Sequence, residues 1–387
     1  MSQNIYLDYA SGTPSAPEVK QAMTAALEEV GNPSSIHADG RRAKQQLETA
    51  RTQVARLINA APAEIFFTSC GTESNNWALR GLLAANKRKG NHLIVSAIEH
   101  PSISLASRRL EGEGAARVTV LSVDREGFVS SVDLKAALTP ETVLVSVMLA
   151  NGEVGTIEPI KDLAAIAHEH GALFHTDAIA AVGHAPVDVK ALGVDALSLA
   201  ANQFYGPPGA ATLFVREGVR ILPLLEGGGQ EHGGRSGTEA LPAIVGMAAA
   251  ARYQISNARL ISDIALLRDR LRDGLKERIE GIRFNGSWTA RLPHNLHVCV
   301  DGVSSESLVL GLDQAGIAAG LGSACNSKAM RPSHVLKAMG LSDEEAAGAL
   351  VLTVGVPTTE DEIAQALDII PAVVQRLRNV TALTARS

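Results

Sequence analysis

Residues 159–177 read PIKDLAAIAHEHGALFHTD, a helical pattern that passes into a strand pattern within a few residues. Apolar residues recur three and four positions apart from Pro159 to His170, which predicts an amphipathic helix. Leu173 to Thr176 predicts a short buried strand. A helix that leads straight into a strand is part of a βαβ unit, and such units build parallel sheets. This stretch therefore predicts an α/β protein.

The same alternation extends in both directions, from about residue 15 to about residue 250. Helical stretches such as Gly40–Ile58 separate the strand patterns. Strands are predicted at Ile65–Thr68, His92–Val95, Val118–Leu121, Val143–Met148, Leu173–Thr176, Ala196–Leu199 and Ala211–Val215. We therefore expect a large domain over residues 15–253, built on a mainly parallel seven-stranded sheet.

The pattern changes near Tyr253, where we predict a domain boundary. Beyond it the sequence predicts a long charged amphipathic helix, two strands and a closing helix, at Leu260–Ile279, His297–Val300, Ala349–Thr353 and Glu360–Leu377. The last ten or so residues are expected to be loosely held. Residues 1–14 and 254–387 are thus predicted to form a smaller α+β domain.

Composition excludes several classes of protein. The chain has 387 residues, of which 46% are hydrophobic and 20% charged, so it is neither disordered nor a disulfide-stapled miniprotein. Its net charge of -6, without a long basic run, argues against nucleic acid or a membrane surface as the main partner. Three cysteines suit a reducing compartment. No targeting or membrane-spanning pattern occurs, so we expect a cytoplasmic protein.

Residues 68–76, TSCGTESNN, follow one predicted strand and open a helix. Backbone N–H groups at a helix N-terminus, with hydroxyls nearby, can hold an anion. An ordinary helix start with Thr72 or Ser69 as the N-cap fits the same pattern equally well. The residues alone leave both interpretations open.

Two further polar side chains stand at strand ends, where open α/β sheets bind ligands. Asp177 ends one predicted strand and His100 follows another. An Asp in that place can keep a pyridinium nitrogen protonated, and an imidazole can stack on a planar ring. A helix-capping Asp and a simply packed His explain the two positions as well.

Two glycine-containing loops complete the set of candidate sites. Residues 227–238, GGGQEHGGRSGT, suit close approach to a phosphate or to a second subunit. Residues 322–327, GSACNS, place Cys325 among small residues, as an exposed reactive thiol requires. Cys299 lies in an apolar run and is expected to be buried.

Taken together, these segments resemble the cysteine desulfurases of the NifS/IscS type, which have the fold-type I architecture of pyridoxal-phosphate (PLP) enzymes. The resemblance covers nearly the whole chain and rests on YLDYA at 6–10, GNPSSIH at 31–37, TESNN at 72–76, EH at 99–100, EVG at 153–155, RSGT at 235–238, GSAC at 322–325 and PSHVL at 332–336. It implies a homodimer with a large PLP-binding domain and a small domain that carries a persulfide-forming cysteine.

Five positions match functional residues of that family. By this resemblance Thr72 is the phosphate-binding threonine, His100 the ring-stacking histidine and Asp177 the partner of the pyridinium nitrogen. Thr238 is the phosphate contact that the other subunit supplies, and Cys325 is the nucleophile that accepts sulfur. The resemblance thus implies a cofactor site completed by dimerisation.

Other positions depart from the family pattern. Gln203 stands where the family has its Schiff-base lysine, and no lysine occurs between Lys190 and Lys276. An amide forms no imine and moves no α-proton. Val351 falls where an arginine would bind the substrate carboxylate. The remaining departures are Gly152, Ala180, Ala200 and Asn202, in place of the family's Asn, Gln, Ser and His.

These losses predict a desulfurase homologue that no longer turns over cysteine through PLP. Covalent PLP is not expected, and a protein without any cofactor is one alternative. Cys325 would then act as a persulfide carrier, or the chain as a scaffold partner, in sulfur transfer or iron–sulfur assembly with a donor or acceptor protein. Two readings stay open: an active desulfurase with non-covalent PLP, and an enzyme of changed specificity. Cys70, where the family has glycine, is either a second redox or metal-binding thiol or merely a tolerated small residue.

Overall fold

A computed structural model describes residues 4–257, 259–321 and 332–384. Its strands, in chain order, are β1 Ile5–Leu7, β2 Ile65–Thr68, β3 His92–Ser96, β4 Arg117–Leu121, β5 Thr142–Ser146, β6 Leu173–Asp177, β7 Ala196–Ala200, β8 Ala211–Val215, β9 Ile282–Asn285, β10 Asn295–Val300, β11 Ile317–Ala319 and β12 Ala349–Thr353. Its α-helices are α1 Pro17–Glu28, α2 Ala38–Leu57, α3 Gly71–Ala85, α4 Pro101–Gly112, α5 Ser131–Ala137, α6 Ile160–Glu169, α7 Val189–Leu192, α8 Leu241–Ser256, α9 Leu260–Arg278, α10 Ser305–Gln314, α11 His334–Ala338, α12 Asp343–Ala346 and α13 Glu360–Thr384.

The large sheet has seven strands in the order β2-β8-β7-β6-β5-β3-β4. Only β8 runs antiparallel to its neighbours in this sheet, so the predicted mainly parallel sheet is confirmed. The central strands are buried on both faces, as parallel strands covered by helices are. This explains why their sequences are continuous apolar runs rather than alternating ones.

The strand order places the candidate residues at one edge of the sheet. The carboxyl ends of β2, β3, β5, β6 and β7 lie at the same edge of the sheet, because these strands run in the same direction, with β8 between β2 and β7. Cys70 follows β2, His100 follows β3, and Asp177 and Ala200 are the last residues of β6 and β7. Residues 100 positions apart in the chain therefore meet around one site.

A second unit contains two smaller sheets. Strand β1 pairs in parallel with β11, and β10 lies between β9 and β12 as an antiparallel sheet. Ile5 and Leu7 share a hydrophobic core with α9, β10, β12 and α13. The N-terminal strand thus packs with the C-terminal third of the chain. The exact division at residues 14/15 and 253/254 stays a prediction.

The end of the chain differs from the prediction. Helix α13 continues to Thr384, well past the expected end at Leu377. It passes through Pro371, and buried apolar residues on both sides of this proline hold it against the second core. Packing therefore overrides the local helix-breaking signal.

None of the helices in the described part of the chain combines the length and apolar character that crossing a membrane requires.

Candidate active site

A cavity of about 460 Å³ opens at the carboxyl edge of the large sheet. Its walls come from the loops after β2, β3, β5, β6 and β7, and the second unit closes it from the other side with Gly320, His334 and Val351. Ten of the twelve candidate residues line it: Cys70, Thr72, His100, Gly152, Asp177, Ala180, Ala200, Asn202, Gln203 and Val351. Of the other two, Thr238 does not line the cavity, and Cys325 lies outside the described residues.

Helix α3 points its N-terminus at this cavity. The helix starts at Gly71, and Cys70 is the N-cap but makes no side-chain capping bond, so neither Thr72 nor Ser69 is the cap. A Cβ on Gly71 would lie 2.2 Å from the Cδ1 atom of Ile179, which explains the glycine. Because no side chain caps the first turn, its backbone N–H groups are available to an anion beside Thr72.

Asp177 belongs to a hydrogen-bonded chain that the sequence did not predict. The amide Nδ2 of Asn75 donates both to Asp177 Oδ2, at 2.7 Å, and to Ser102 Oγ, at 2.8 Å. Ser102 Oγ in turn lies 2.8 Å from Nδ1 of His100. Burial raises the pKa of Asp177, against the lowering effect of the Ile179 N–H and Asn75. Two predicted residues, Asp177 and His100, are therefore connected through two that were missed.

Glu99 is a third missed residue and is fully buried on the cavity wall. Its Oε1 accepts hydrogen bonds from Ser96 Oγ at 2.6 Å and Met148 N at 2.8 Å, whereas Oε2 has no partner among the described residues. Burial raises the pKa of this carboxyl to about 8. A glutamate directly before the candidate His100, at a strand end, was the available signal.

Gln203 lies in a short turn after β7 and is tied to its surroundings. Its side-chain Nε2 donates to Ala10 O at 3.1 Å, and its backbone carbonyl accepts from Nε2 of His184 at 2.9 Å. No lysine or arginine is among the described residues of the cavity wall. The amine that an imine needs is therefore absent from that part of the wall.

The other substituted positions enlarge the apolar part of the wall. A Cβ on Gly152 would meet Ala180 Cβ at 3.4 Å, so these two substitutions are neighbours. Ala200 is buried at the end of β7. Val351, in the middle of β12, exchanges backbone hydrogen bonds with Gly320 at 2.9 and 3.0 Å. Small and aliphatic groups therefore occupy places where the family resemblance puts polar side chains.

The glycine-rich loop, residues 227–238, contacts the helix that begins at this cavity. Thr238 is exposed and does not line the cavity of its own chain. Arg235 of the same loop donates to both carboxylate oxygens of Glu73, at 2.8 and 3.2 Å, in the first turn of α3. The loop is thus attached to the helix that bears Thr72, and the role of Thr238 toward a second subunit stays a prediction.

The two cysteines within the described residues have different surroundings. Cys325 lies outside the described residues. Cys299 is buried as expected, and burial raises the pKa of its thiol to about 11. Cys70 is exposed at the cavity. Within the described ranges no group of three or more His, Cys, Asp or Glu side chains is arranged to hold a metal ion, so the metal-binding idea for Cys70 gains no support there.

Known proteins resemble this chain over nearly its full length. The family model described as aminotransferase class-V matches residues 5–365. The protein named cysteine desulfurase IscS from Methanosarcina thermophila is 44% identical over 99% of this chain and 95% of its own length, and the one from Clostridium botulinum (strain Kyoto / Type A2) is 43% identical over 99% and 97%. A solved structure titled NifS-like protein is 33% identical, covers 97% of this chain and 100% of its own, and superposes with a TM-score of 0.90.

These matches cover both the large sheet and the second unit, and their identities lie well above the level at which only the fold is shared. The seven-stranded sheet and the cavity at its carboxyl edge are the architecture of fold-type I PLP-dependent transferases. The chain therefore belongs to the class-V aminotransferase family, among the cysteine desulfurases of the IscS/NifS type.

Proposed function

We propose that this member of a PLP-dependent family does not desulfurate cysteine through covalently bound PLP and instead takes part in sulfur transfer as a persulfide carrier. The single observation that carries the proposal is Gln203, whose amide occupies the cavity wall where the family resemblance places the Schiff-base lysine. A primary amine is the group that binds the cofactor aldehyde and moves the substrate proton. An amide does neither.

The cavity fits one part of PLP and not the other. The uncapped N-terminus of α3, with Thr72, suits the phosphate, and the buried carboxyl of Asp177 suits the pyridine nitrogen. At the aldehyde end, Gln203 offers no amine, and Gly152 and Ala180 offer no side-chain donor to the ring oxygen. The cofactor's contribution, electron withdrawal from an amino-acid carbon, depends on that end. No catalytic step is therefore assigned to it in this protein.

The substrate side of the cavity has changed in the same direction. Val351 is buried and apolar where the resemblance places the arginine that binds a substrate carboxylate. A bidentate guanidinium–carboxylate contact is among the strongest polar contacts that a protein makes. Its loss weakens binding of an amino acid independently of the cofactor. Two separate requirements of cysteine turnover are thus missing at two separate places.

Cys325 supports the carrier part of the proposal, because the reaction needs no amine. The Cys325 thiolate attacks the outer sulfur of a donor persulfide, R–S–SH. The sulfur–sulfur bond of the donor breaks, R–SH leaves, and Cys325 carries the outer sulfur as a persulfide. A second thiol can then remove that sulfur by the same exchange. The proposed partners are a second copy of this chain, a protein sulfur donor and an acceptor of the iron–sulfur scaffold type, in the cytoplasm.

The first experiment is a titration of the purified protein with PLP, followed by visible absorption, with and without L-cysteine. For the native chain we expect no imine band and the same response to L-cysteine as free PLP shows, because cysteine forms a thiazolidine with the PLP aldehyde without any protein. Gln203→Lys restores the amine, so it should form an imine band with PLP that borohydride reduces to a stable adduct on that residue. Gln203→Met, similar in size and without an amine, is the matched control and should behave as the native chain does.

The outcome separates the alternatives. A saturable band that responds to cysteine in the native chain would show that the site still works with non-covalent PLP, and the proposal would be wrong. The carrier part is tested with glutathione persulfide as the donor and mass spectrometry as the readout. We expect one added sulfur on Cys325 and none in Cys325→Ser; equal loading of both proteins would contradict the carrier role.

A further inference from the structure

The part of the cavity around Val351, here called the Val351 end, is enclosed by Asp8, Glu153, Gly320 and Val351. Val351 pairs with Gly320 on one side, and a Cβ on Gly320 would lie 2.8 Å from Oδ1 of Asp8. On its other side Val351 pairs with His297 of β10, whose Nε2 lies 3.7 Å from Oε1 of Glu153. The valine thus stands between two carboxyl groups.

Among the described residues, neither carboxyl group at the Val351 end has a lysine or arginine as partner. Asp8 Oδ1 accepts a hydrogen bond from the Ser11 hydroxyl at 2.9 Å. Glu153 is 9% exposed and its carboxyl has a hydrogen bond with the Ser333 side chain. Its Oε1 has no hydrogen-bond partner within the described ranges, because 3.7 Å is too long for a bond to His297. A buried acceptor without a partner costs free energy, which a ligand that donates to it would recover.

His297 cannot supply the missing charge. Its Nδ1 accepts from the Asn285 amide at 2.9 Å, and burial lowers the pKa of the imidazole to about 3, so it stays neutral. Arg291 donates instead to the backbone oxygens of Ser287 and Asn295 and does not line the cavity. Burial also raises the pKa of Asp8, and that of Glu153 to about 7, as expected of carboxyls without a cation.

The rest of the cavity wall suits an apolar body. Ile98, Met148, Ile179, Ala180 and Ala200 line it together with Val351. A volume of about 460 Å³ is ample for a ring or a short chain. The wall therefore offers an apolar surface with two carboxyl groups at the Val351 end, which a bound cation would keep ionised.

We propose that this cavity binds a ligand with an ammonium group on an apolar body and without a carboxylate, the ammonium lying between Asp8 and Glu153. The substitution at Val351 would thereby have converted a carboxylate-binding end into a cation-binding end. This inference rests on the proposed function only in requiring that no covalently bound cofactor fills the cavity. It makes no use of Cys325.

The test uses three probes of similar size and different charge: benzylamine, benzyl alcohol and phenylacetate. Binding to the full-length protein is measured at pH 7 by calorimetry and by saturation-transfer NMR. We expect benzylamine to bind at least about tenfold more tightly than benzyl alcohol, and phenylacetate not to bind detectably. Equal affinity of benzylamine and benzyl alcohol, or tighter binding of phenylacetate, would overturn the inference.

Two variants locate the charge. Asp8→Asn and Glu153→Gln preserve the shape of the side chain. Each should weaken the binding of benzylamine about tenfold and leave the affinity for benzyl alcohol unchanged. Asp133→Asn, an exposed acid on α5 that does not line the cavity, is the matched control. If both cavity variants prefer benzylamine to benzyl alcohol as strongly as the native chain does, the ammonium site is elsewhere and the inference is wrong. The PLP titration is a separate measurement, so failure of the ammonium-binding inference does not imply failure of the proposed function, or the reverse.

Discussion

Glu99 shows how one buried group sets the character of the site. Its carboxyl lies near Asp177 and Glu158, and both of these acids raise its pKa further, after the larger effect of burial. At neutral pH the folded protein therefore keeps a proton on Glu99 that the unfolded chain releases. A charge in this position would need a cation nearby, and the described wall contains neither lysine nor arginine.

We predict that Glu99→Gln removes a pH dependence of stability. The pKa of Glu99 is raised from 4.5 to about 8 in the folded protein, so its contribution to the unfolding free energy is full below pH 4.5 and is lost as pH rises to about 8. The slope is at most about 1.4 kcal/mol per pH unit. Compared with the native chain, Glu99→Gln should gain stability steadily from pH 5 to pH 8, measured by urea unfolding.

The control for Glu99→Gln is Glu28→Gln, at the exposed end of α1. It should shift stability by the same small amount at every pH. A difference between Glu99→Gln and the native chain that does not change with pH would mean that the carboxyl is ionised in the folded protein.

At this scale the sequence predicts part of the site only. Thr72, His100 and Asp177 could be found because each lies at or shortly after the carboxyl end of a strand, within a recognisable segment. Asn75 and Ser102 could not, because their roles depend on hydrogen bonds between α3, α4 and β6 that no local pattern encodes. Helix α3 likewise begins one residue after an unexpected N-cap, Cys70.

At the scale of elements, the glycine-rich loop is held to the sheet by a buried ion pair. Arg51 of α2 donates to both oxygens of Glu231, at 2.7 and 2.8 Å, and both side chains are almost fully buried. The N–H of Phe67 in β2 also donates to Glu231 at 2.7 Å. Glu231 and His232 have positive φ values of 46° and 57°. This backbone conformation costs free energy in residues other than glycine, and such contacts stabilise it.

We predict that Arg51→Met destabilises the protein by about 3–5 kcal/mol, because it leaves the Glu231 carboxylate buried without its cation. Arg51→Met combined with Glu231→Gln should recover part of this loss. Urea unfolding gives the free energies, and hydrogen exchange over residues 227–238 should increase in the single variant before global unfolding.

The matched control for the Arg51 pair is exposed. Arg270 donates to Glu360 at 2.9 Å with both side chains largely in solvent, so Arg270→Met should cost less than about 1 kcal/mol. Similar losses from Arg51→Met and Arg270→Met would show that burial of the pair does not matter, and that the loop is held by its backbone instead.

At the scale of the whole molecule, the sequence predicted the architecture better than its connections. The seven strands and their mainly parallel pairing follow from continuous apolar runs separated by helices. The antiparallel insertion of β8 between β2 and β7 could not be foreseen, because strand order depends on contacts between distant segments. The pairing of β1 with β11, about 300 residues away, is long-range in the same sense.

The seam between the sheet and the second unit is where these distant segments meet. His184, near the Gln203 carbonyl, stacks on His294, which precedes β10, with ring centroids 3.8 Å apart. Burial lowers the pKa of His184 to about 4 and places that of His294 well below its ordinary value of 6.5. Each ring is thus neutral in the folded protein and gains a proton when the chain unfolds in acid.

We predict that His294→Phe makes the protein more resistant to acid. A histidine whose pKa is lowered in the folded state makes its full contribution to the free energy of unfolding above pH 6.5. This contribution is lost as pH falls below that value, and the loss is about 2 kcal/mol at pH 5 for one such group. Phenylalanine keeps a ring against His184 without the titration, and Nδ1 of His294 has no hydrogen bond to any residue that the structure describes. His170→Gln, an exposed position, should leave the acid sensitivity of thermal unfolding unchanged. If His294→Phe and the native chain lose stability equally between pH 7 and pH 5, protonation of His294 does not set the acid sensitivity, which then comes from other groups such as the remaining buried histidines, His92, His175, His184 and His297.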